Sequence, residues 1–431
     1  LSTNTLDTSC FGTFQVSSDS FSSCVQMSSS PTSSNSDKTF TITPKDNLSQ
    51  ATVYRIRITT GTKDGSGDSM TSQWTTSSGF QTVADNTTTT DNDTTVSEIT
   101  QTVGSDGLLT GSFVVPADGI SFLLSIFLGS NSSIKFYSLT DPDGTDILSA
   151  SSTPNLYDAS SGNIGTAGYA NVLVPQSPSF STKAGTWTFK AYTNDRVSIA
   201  MRTGSTPSAA TIAIQPYITG TDWSSGDISA ALSVMSGIYS ANGITLTINS
   251  TITISNTQYA AVSGTFTDST TSALVTQGST AAVNLFFIED YSGSWSNILG
   301  NAAGIPGSMG IANSWNGVLI SLSAHASGTA LDSQLLGETT AHEMGHQLGL
   351  FHTTEKWGTE FDIISDTAEC SKSSRDYDRN GKMSAEECEG YGGKNVMFWT
   401  PWNPASRSAG KKQETLSSHQ QHVLKYSPLA K

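Results

Sequence analysis

Eleven residues, His342-Glu343-Met344-Gly345-His346-Gln347-Leu348-Gly349-Leu350-Phe351-His352, constrain this chain more than any other stretch. Histidines four apart face the same way on a helix, because 3.6 residues make one turn. Their imidazoles can then reach one zinc ion, with Glu343 beside them as a base. Gly349 is where such a helix can break, and His352, three residues on, swings back as a third ligand. Three ligands leave one position open for water, which is the pattern of a catalytic rather than a structural zinc. A solvated polar helix produces His-Glu-x-x-His by chance, but the two further fixed positions make that reading poor. Only six histidines occur, at 325, 342, 346, 352, 419 and 422, and half of them fall in this segment.

A second constellation follows at residues 376–387, Asp-Tyr-Asp-Arg-Asn-Gly-Lys-Met-Ser-Ala-Glu-Glu, which fits the EF-hand loop pattern. Asp376, Asp378 and Asn380 would offer side-chain oxygens, Lys382 its carbonyl, Ser384 a direct or water-bridged contact and Glu387 a bidentate carboxylate. Hard oxygen donors at this spacing favour calcium over zinc. No helix-forming apolar stripe clearly precedes the loop, so a single structural Ca2+ is expected rather than a paired sensor. The bland alternative is a polar surface loop. Cys370 and Cys388 flank the segment, and Cys10 and Cys24 are the other close pair. Four cysteines leave three connectivities open, of which local pairing is the simplest. A bridge around the acidic loop would contribute about 3 kcal/mol through the unfolded state. Two bridges suit an oxidising, extracytoplasmic compartment.

Composition sets the remaining bounds. At 431 residues two or three domains are expected. Charged residues are only 13%, against abundant Ser, Thr and Gly, a profile of exported β-rich domains. The net charge of −15 argues against a nucleic-acid partner, which needs a basic footprint. No stretch approaches the ~18 apolar residues of a transmembrane helix. The chain opens on Leu1 without a signal-type segment, so any signal peptide is expected to lie outside it.

The extended histidine motif resembles that of the metzincin clan of zinc endopeptidases, and the wording of residues 346–352 is most similar to pappalysin-like bacterial members. That resemblance implies a methionine turn beneath the metal, for which Met397 in Asn395-Val396-Met397-Phe398-Trp399 is the candidate. Several metzincin families carry a tyrosine two residues after that methionine; here it is Trp399. The resemblance further implies water-mediated hydrolysis of a protein or peptide substrate with Glu343 as general base. It also implies that the last strand before the zinc helix forms the sheet edge, so that Val318, Ile320 and Leu322 line the cleft. His325, just beyond, reads as a plain loop histidine.

Upstream, period-2 alternation and turn clusters mark strands. Residues 38–44, 53–64 and 80–82 resemble bacterial Ig-like domains, with Tyr54-Arg55-Ile56-Arg57-Ile58 ahead of a Gly61-x-x-Asp64 turn. The family's first strand finds no counterpart, so residues 1–82 read as a β-sandwich entered partway, in a fragment of a longer precursor. Residues 83–96 read as a linker of low complexity. Residues 97–206 carry strand-like runs at 108–115, 121–128, 134–139, 170–174 and 186–191, and residues 185–189 resemble the jelly-roll sandwiches that accompany secreted peptidases. From about 207 an α/β pattern begins: a strand at 211–218, then Ile228, Leu232, Met235, Ile238 and Tyr239 at helical spacing, closed by Asn242-Gly243. Strands at 244–254, 282–288 and 317–323 precede the zinc helix, with Asp332 as its expected N-cap.

The fold expected is therefore multidomain: two amino-terminal all-β sandwiches, then an α/β zinc-protease domain over 207–431. The function expected is a secreted or cell-surface zinc endopeptidase with Zn2+ and Ca2+. A third possibility is that the sandwiches deliver it to a surface or matrix ligand. The competing expectation is a surface adhesin whose protease-like domain is latent or degenerate.

Overall fold

The computed structural model describes residues 1–431 apart from 35, 47, 50–51, 78, 82–93, 128–134, 149–168, 193–196 and 329. The expected linker lies outside the described residues up to position 93. Two compact units divide the chain at Thr90 and Asp91.

The first unit holds β1 (Phe14–Ser17), β2 (Thr32–Ser34), β3 (Thr39–Thr41), β4 (Val53–Ile58), β5 (Trp74–Thr75) and β6 (Phe80–Gln81). Strand β4 is its centre, pairing antiparallel with β1, β5 and β6. Its core is small: Val16, Met27 and Tyr54 are buried, with Phe14, Ile42 and Ile56 packed on them. A core this thin calls for a staple, and Cys10 is bonded to Cys24 across its edge.

The second unit begins as a sandwich of β7 (Thr94–Glu98), β8 (Gln101–Val103), β9 (Leu109–Val115), β10 (Gly119–Phe127), β11 (Lys135–Thr140), β12 (Tyr169–Val174), β13 (Gly185–Tyr192) and β14 (Val197–Thr203). These form two four-stranded antiparallel sheets, ordered β12-β10-β14-β7 and β11-β13-β9-β8. Alternation places Phe122, Leu124, Ile126, Val172, Val174, Val197 and Ile199 in the sandwich core with Trp187 and Phe189. The opposite face of the same sheet is buried as well. Leu123, Leu173 and Ala200 belong to the hydrophobic core of the part that follows. Polar groups tie the two parts together: Asn171 Nδ2 donates to Pro306 O (2.9 Å), Gln176 Nε2 to Gly349 O (3.1 Å), and Arg202 to the carbonyls of Lys425 and Ser427.

That following part is an α/β layer. Its elements are β15 (Ala210–Thr219), α1 (Ser229–Ala241), β16 (Ile244–Ile248), β17 (Ile252–Ile254), β18 (Ala261–Val262), α2 (Ser269–Val275), β19 (Val283–Ile288), β20 (Asp290–Tyr291), β21 (Gly300–Ala302), β22 (Val318–Ser321) and α3 (Ser333–Gln347). Short helices α4 (Lys372–Arg375) and α5 (Pro404–Ser408) precede the last helix, α6 (Ser418–Tyr426). The main sheet runs β16-β15-β19-β22-β21, with β17 also on β15. Strands β15, β19 and β22 are parallel, covered on both faces, and accordingly apolar almost throughout.

Helix α3 packs on α1 so closely that a Cβ on Gly337 would lie 2.6 Å from Val234 Cβ. Tyr239 Oη adds a buried hydrogen bond to Ala341 O (2.9 Å). Among the described residues no helix is long and apolar enough to cross a membrane.

Candidate metal centre

Helix α3 starts where the sequence predicts. The Asp332 side chain accepts from Leu335 N, capping the first turn, and is held in place by Arg407. His342 and His346 follow one turn apart on the same face. The helix ends at Gln347, and Gly349 takes φ +107°. No side chain fits there: the backbone is left-handed and a Cβ would lie 2.9 Å from Leu173 Cδ2 of the sandwich. The reversed chain returns His352 to the helix.

The three Nε2 atoms converge, with His352 Nε2 3.1 Å from those of both His342 and His346. The far side of each ring explains why. His342 Nδ1 meets Val396 O at 2.7 Å, His346 Nδ1 meets Leu350 O at 2.7 Å, and His352 Nδ1 meets Glu355 Oε1 at 2.9 Å. Carbonyls and carboxylates only accept, so each Nδ1 carries the hydrogen and each Nε2 presents a lone pair to the shared point. Burial, with the neighbouring imidazoles, drives His342 down to about 3 and His346 well below its ordinary value. Three facing lone pairs repel one another unless a cation sits between them. Tetrahedral zinc at 2.0–2.1 Å from each nitrogen would space them by roughly 3.3 Å. The donor set and spacing fit zinc.

Met397 lies fully buried beneath this point. A methyl group on Gly345 would overlap its sulfur, so the helix approaches the turn only because position 345 has no side chain. The turn is itself anchored. Asn395 Oδ1 accepts from Met397 N (2.8 Å), and Asn395 Nδ2 donates to Gln420 of α6 (2.8 Å).

Glu343 opens into the same cleft, a cavity of about 670 Å3 also lined by the three histidines, Asn297 to Ala302, Leu335, Glu338, Thr339 and Phe398 to Pro401. Its Cγ fills the place that a Cβ on Gly300 would occupy, 2.6 Å away. Burial pushes its carboxyl up to about 8, tempered by the Ala302 backbone N–H. A bound cation would act in the opposite direction.

One expectation needs correction. Val318, Ile320 and Leu322 do not face the cleft; all are wholly buried. Strand β22 lies inside the sheet, and the edge is β21, antiparallel to it, with Gly300 opposite Ile320 and Ala302 opposite Val318. An all-apolar strand belongs where both faces are covered, and the short polar Gly300-Asn301-Ala302 tolerates the open edge. His325 is buried too, its Nδ1 on Ser321 O and its Nε2 on Thr339 Oγ1, and burial lowers it to about 4.

The acidic loop closes on itself. Asp376, Asp378 and Glu387 bring carboxylate oxygens within 4.8 Å of one another. Glu387 accepts from the Tyr377 and Ser384 backbones (2.9 and 3.1 Å), and Asp376 Oδ2 from Gly381 N (3.1 Å). Asn380 Oδ1 accepts from Lys382 N. Arg379 and Gly381 both take positive φ. Asp376 Oδ1 is buried without a hydrogen-bond partner. Cys370 and Cys388 are bonded beside it. The loop reaches the cleft through Trp399, whose indole N–H donates to Met383 O (2.6 Å). With its N–H so engaged and no hydroxyl, Trp399 serves as a wall of the cleft rather than a proton donor.

Glu355, Gly300, Gly345 and Glu338 are site residues that motif reading passes over. Only Glu355, three residues beyond His352, carries a sequence signal, as the acid expected to orient a ligand imidazole.

Residues 226–353 match the model of the reprolysin-like metallopeptidases, family M12B, and residues 5–82 match a bacterial Ig-like domain. The chain carries a reprolysin-like metallopeptidase domain behind a bacterial Ig-like domain. The metallopeptidase match spans α1 to α3 and all three histidines, and stops before Met397 and the acidic loop. No curated protein matches the chain. Among solved structures, metalloproteinase-II from Bacteroides fragilis is 15% identical at a TM-score of 0.24, over 37% of this chain and 54% of that one. The M60 catalytic domain of Clostridium perfringens ZmpB, solved with two CBM51 domains, is 12% identical at 0.15, over 41% of this chain and 20% of that one. This chain thus spans about half or less of those structures.

Proposed function

We propose that this chain is an exported, zinc-dependent endopeptidase in which His342, His346 and His352 hold the metal and Glu343 is the general base. The observation that carries it is the convergence of three lone-pair-bearing Nε2 atoms in one cleft with a buried carboxylate. Zinc bound there acts as a Lewis acid towards a peptide carbonyl and acidifies a water molecule. Glu343, held against Gly300, accepts a proton from the attacking water and delivers it to the departing amine. Glu355 holds the His352 ring through Nδ1, so that Nε2 is turned towards the metal site. Among the described residues β21 pairs only with β22, so its other edge is open to an extended substrate, which would add to the sheet as a further strand. Disulfides in both units and the Ig-like domain support an oxidising, extracellular setting.

Elemental analysis is expected to find one zinc per chain in this site. Stripping the metal should abolish digestion of an unfolded protein substrate, and one equivalent of zinc should restore it. Digestion that survives stripping, or zinc content unchanged in His352→Ala, would overturn the proposal.

We also propose that Asp376, Asp378, Asn380, Lys382, Ser384 and Glu387 take one calcium ion. The support is the near-closed ring of oxygens, with Asp376 Oδ1 unpartnered. A site filled at a hundred times its Kd stabilises by about 2.7 kcal/mol. Calcium-selective chelation should therefore lower the melting temperature by a few degrees and, through the Met383–Trp399 bond, raise KM for peptide. Identical melting curves with calcium and with chelator would exclude the site.

A further inference from the structure

Glu338 stands one turn before His342 on α3 and lines the same cleft. It is 3% exposed. Its Oε1 accepts from Gln334 Nε2 (2.7 Å), whereas Oε2 is buried with no hydrogen-bond partner. A buried carboxylate oxygen left bare is costly, and a structure keeps one where something else completes it.

Arg407, paired with Asp332, attracts Glu338 only through space and closes no hydrogen bond to Oε2. Glu414 adds a like charge. The Gln413 backbone N–H tempers the effect of burial, which pushes Glu338 up to about 7, yet it closes no bond to Oε2. Leu335 and Thr339 of the same helix line the cleft with it, as do Leu299, Pro401 and Gln413. Thr339 Oγ1 is occupied by His325, and Gln413 Nε2 by Thr400 O. A wall that mixes apolar surface with one unsatisfied acid oxygen suits a side chain that has a long aliphatic stem and a cationic tip.

Reach narrows the choice. One helical turn is about 5.4 Å, so a residue whose peptide bond sits at the histidine cluster needs a side chain of roughly that length to meet Oε2. Lysine and arginine have it; aspartate, serine and alanine do not.

We propose that Glu338 is a specificity-determining residue and that the cleft selects substrates with lysine or arginine beside the cleaved bond. This rests on the endopeptidase reading above and names its substrate class. The scissile chemistry is unchanged; the ion pair forms with a part of the substrate that does not react.

The test compares two fluorogenic peptides that differ only in having lysine or leucine on either side of a single cleavable bond. They are assayed with the zinc-loaded full chain and with Glu338→Gln and Glu338→Leu. A charge-assisted hydrogen bond in a buried site predicts that wild type favours the lysine peptide in kcat/KM by about 10-fold or more. Glu338→Leu should reverse that order, and Glu338→Gln should bring the ratio close to one. A binding measurement on Glu343→Gln, which holds the peptides without cutting them, should show the same lysine preference in Kd. Zinc content and melting temperature report whether each variant folds; if Glu338→Leu does not, the isosteric Gln decides. Cleavage of both peptides by wild type at equal efficiency, or a lysine preference that survives in Glu338→Gln, overturns the assignment while leaving the endopeptidase intact. Wild type that cuts neither peptide nor unfolded protein overturns the endopeptidase reading instead.

Discussion

Glu343→Gln is expected to keep its zinc and lose its activity. Glutamine has the shape of glutamate, so it preserves the packing against Gly300 and leaves His342, His346 and His352 with their Nδ1 partners. What disappears is the group that accepts and passes on a proton, a contribution of about 10²–10⁴ in rate. Metal content near one per chain, with kcat/KM reduced at least a hundredfold, would meet the expectation. Substantial residual cleavage would sink the role of Glu343.

Stability supplies a second readout from the same variant. In the metal-free protein burial raises Glu343 to about 8. Between about 4.5 and 8 the folded state then holds a proton that the unfolded state has released, so stability falls as pH rises through that window. The cost is absent below it and fully present above it. Glutamine removes the cost, so metal-free Glu343→Gln should melt above metal-free wild type at pH 8.5, and the two should converge near pH 4.

Removal of residues 1–206 is expected to destroy the enzyme, whereas removal of residues 1–90 is not. The first unit has its own core in residues 14–56 and its own disulfide. The sandwich from β7 to β14 differs, because it gives Leu123, Leu173 and Ala200 to the core of the metallopeptidase part. Each buried leucine is worth about 1.5–3 kcal/mol. With the bonds of Asn171, Gln176 and Arg202 also gone, the loss is roughly 5 kcal/mol or more, against a total stability of about 5–15. Gln176 and Leu173 also hold the Gly349 turn that returns His352. A chain starting at 207 should therefore be insoluble, or bind zinc weakly if it folds. A chain starting at 91 should cut a short peptide as the full chain does. Soluble, active protein from residue 207 onward would show that the shared core is dispensable.

The strands of β10, β12 and β14 held a hint of this in sequence. Residues 120–127 are Ile-Ser-Phe-Leu-Leu-Ser-Ile-Phe, apolar on both faces, which a free-standing antiparallel sandwich has no need of. What covers the outer face comes from segments far along the chain, such as Gly349 against Leu173, and no local pattern names them. The edge of the substrate cleft was illegible for a related reason. Gly300-Asn301-Ala302 has neither length nor alternation to mark it as a strand, and the edge position that the family resemblance implies for 318–322 belongs to a strand that is interior here.

Local rules, by contrast, were decisive where spacing alone sets geometry. Asp332 as a cap, the helical face that joins His342 to His346, the left-handed Gly349 and the closed turn of the acidic loop depend on residues within a dozen positions of one another. The sequence by itself therefore determined which atoms could meet a metal. Tertiary structure decided what holds them there and what they face: Met397 in the space left by Gly345, the Val396 carbonyl behind His342, Gly300 against Glu343 and Glu338, with one oxygen unpartnered, in the cleft wall. Those contacts join segments separated by about 40 to 55 residues or lie in a shared cavity, and only the packed chain brings them within reach.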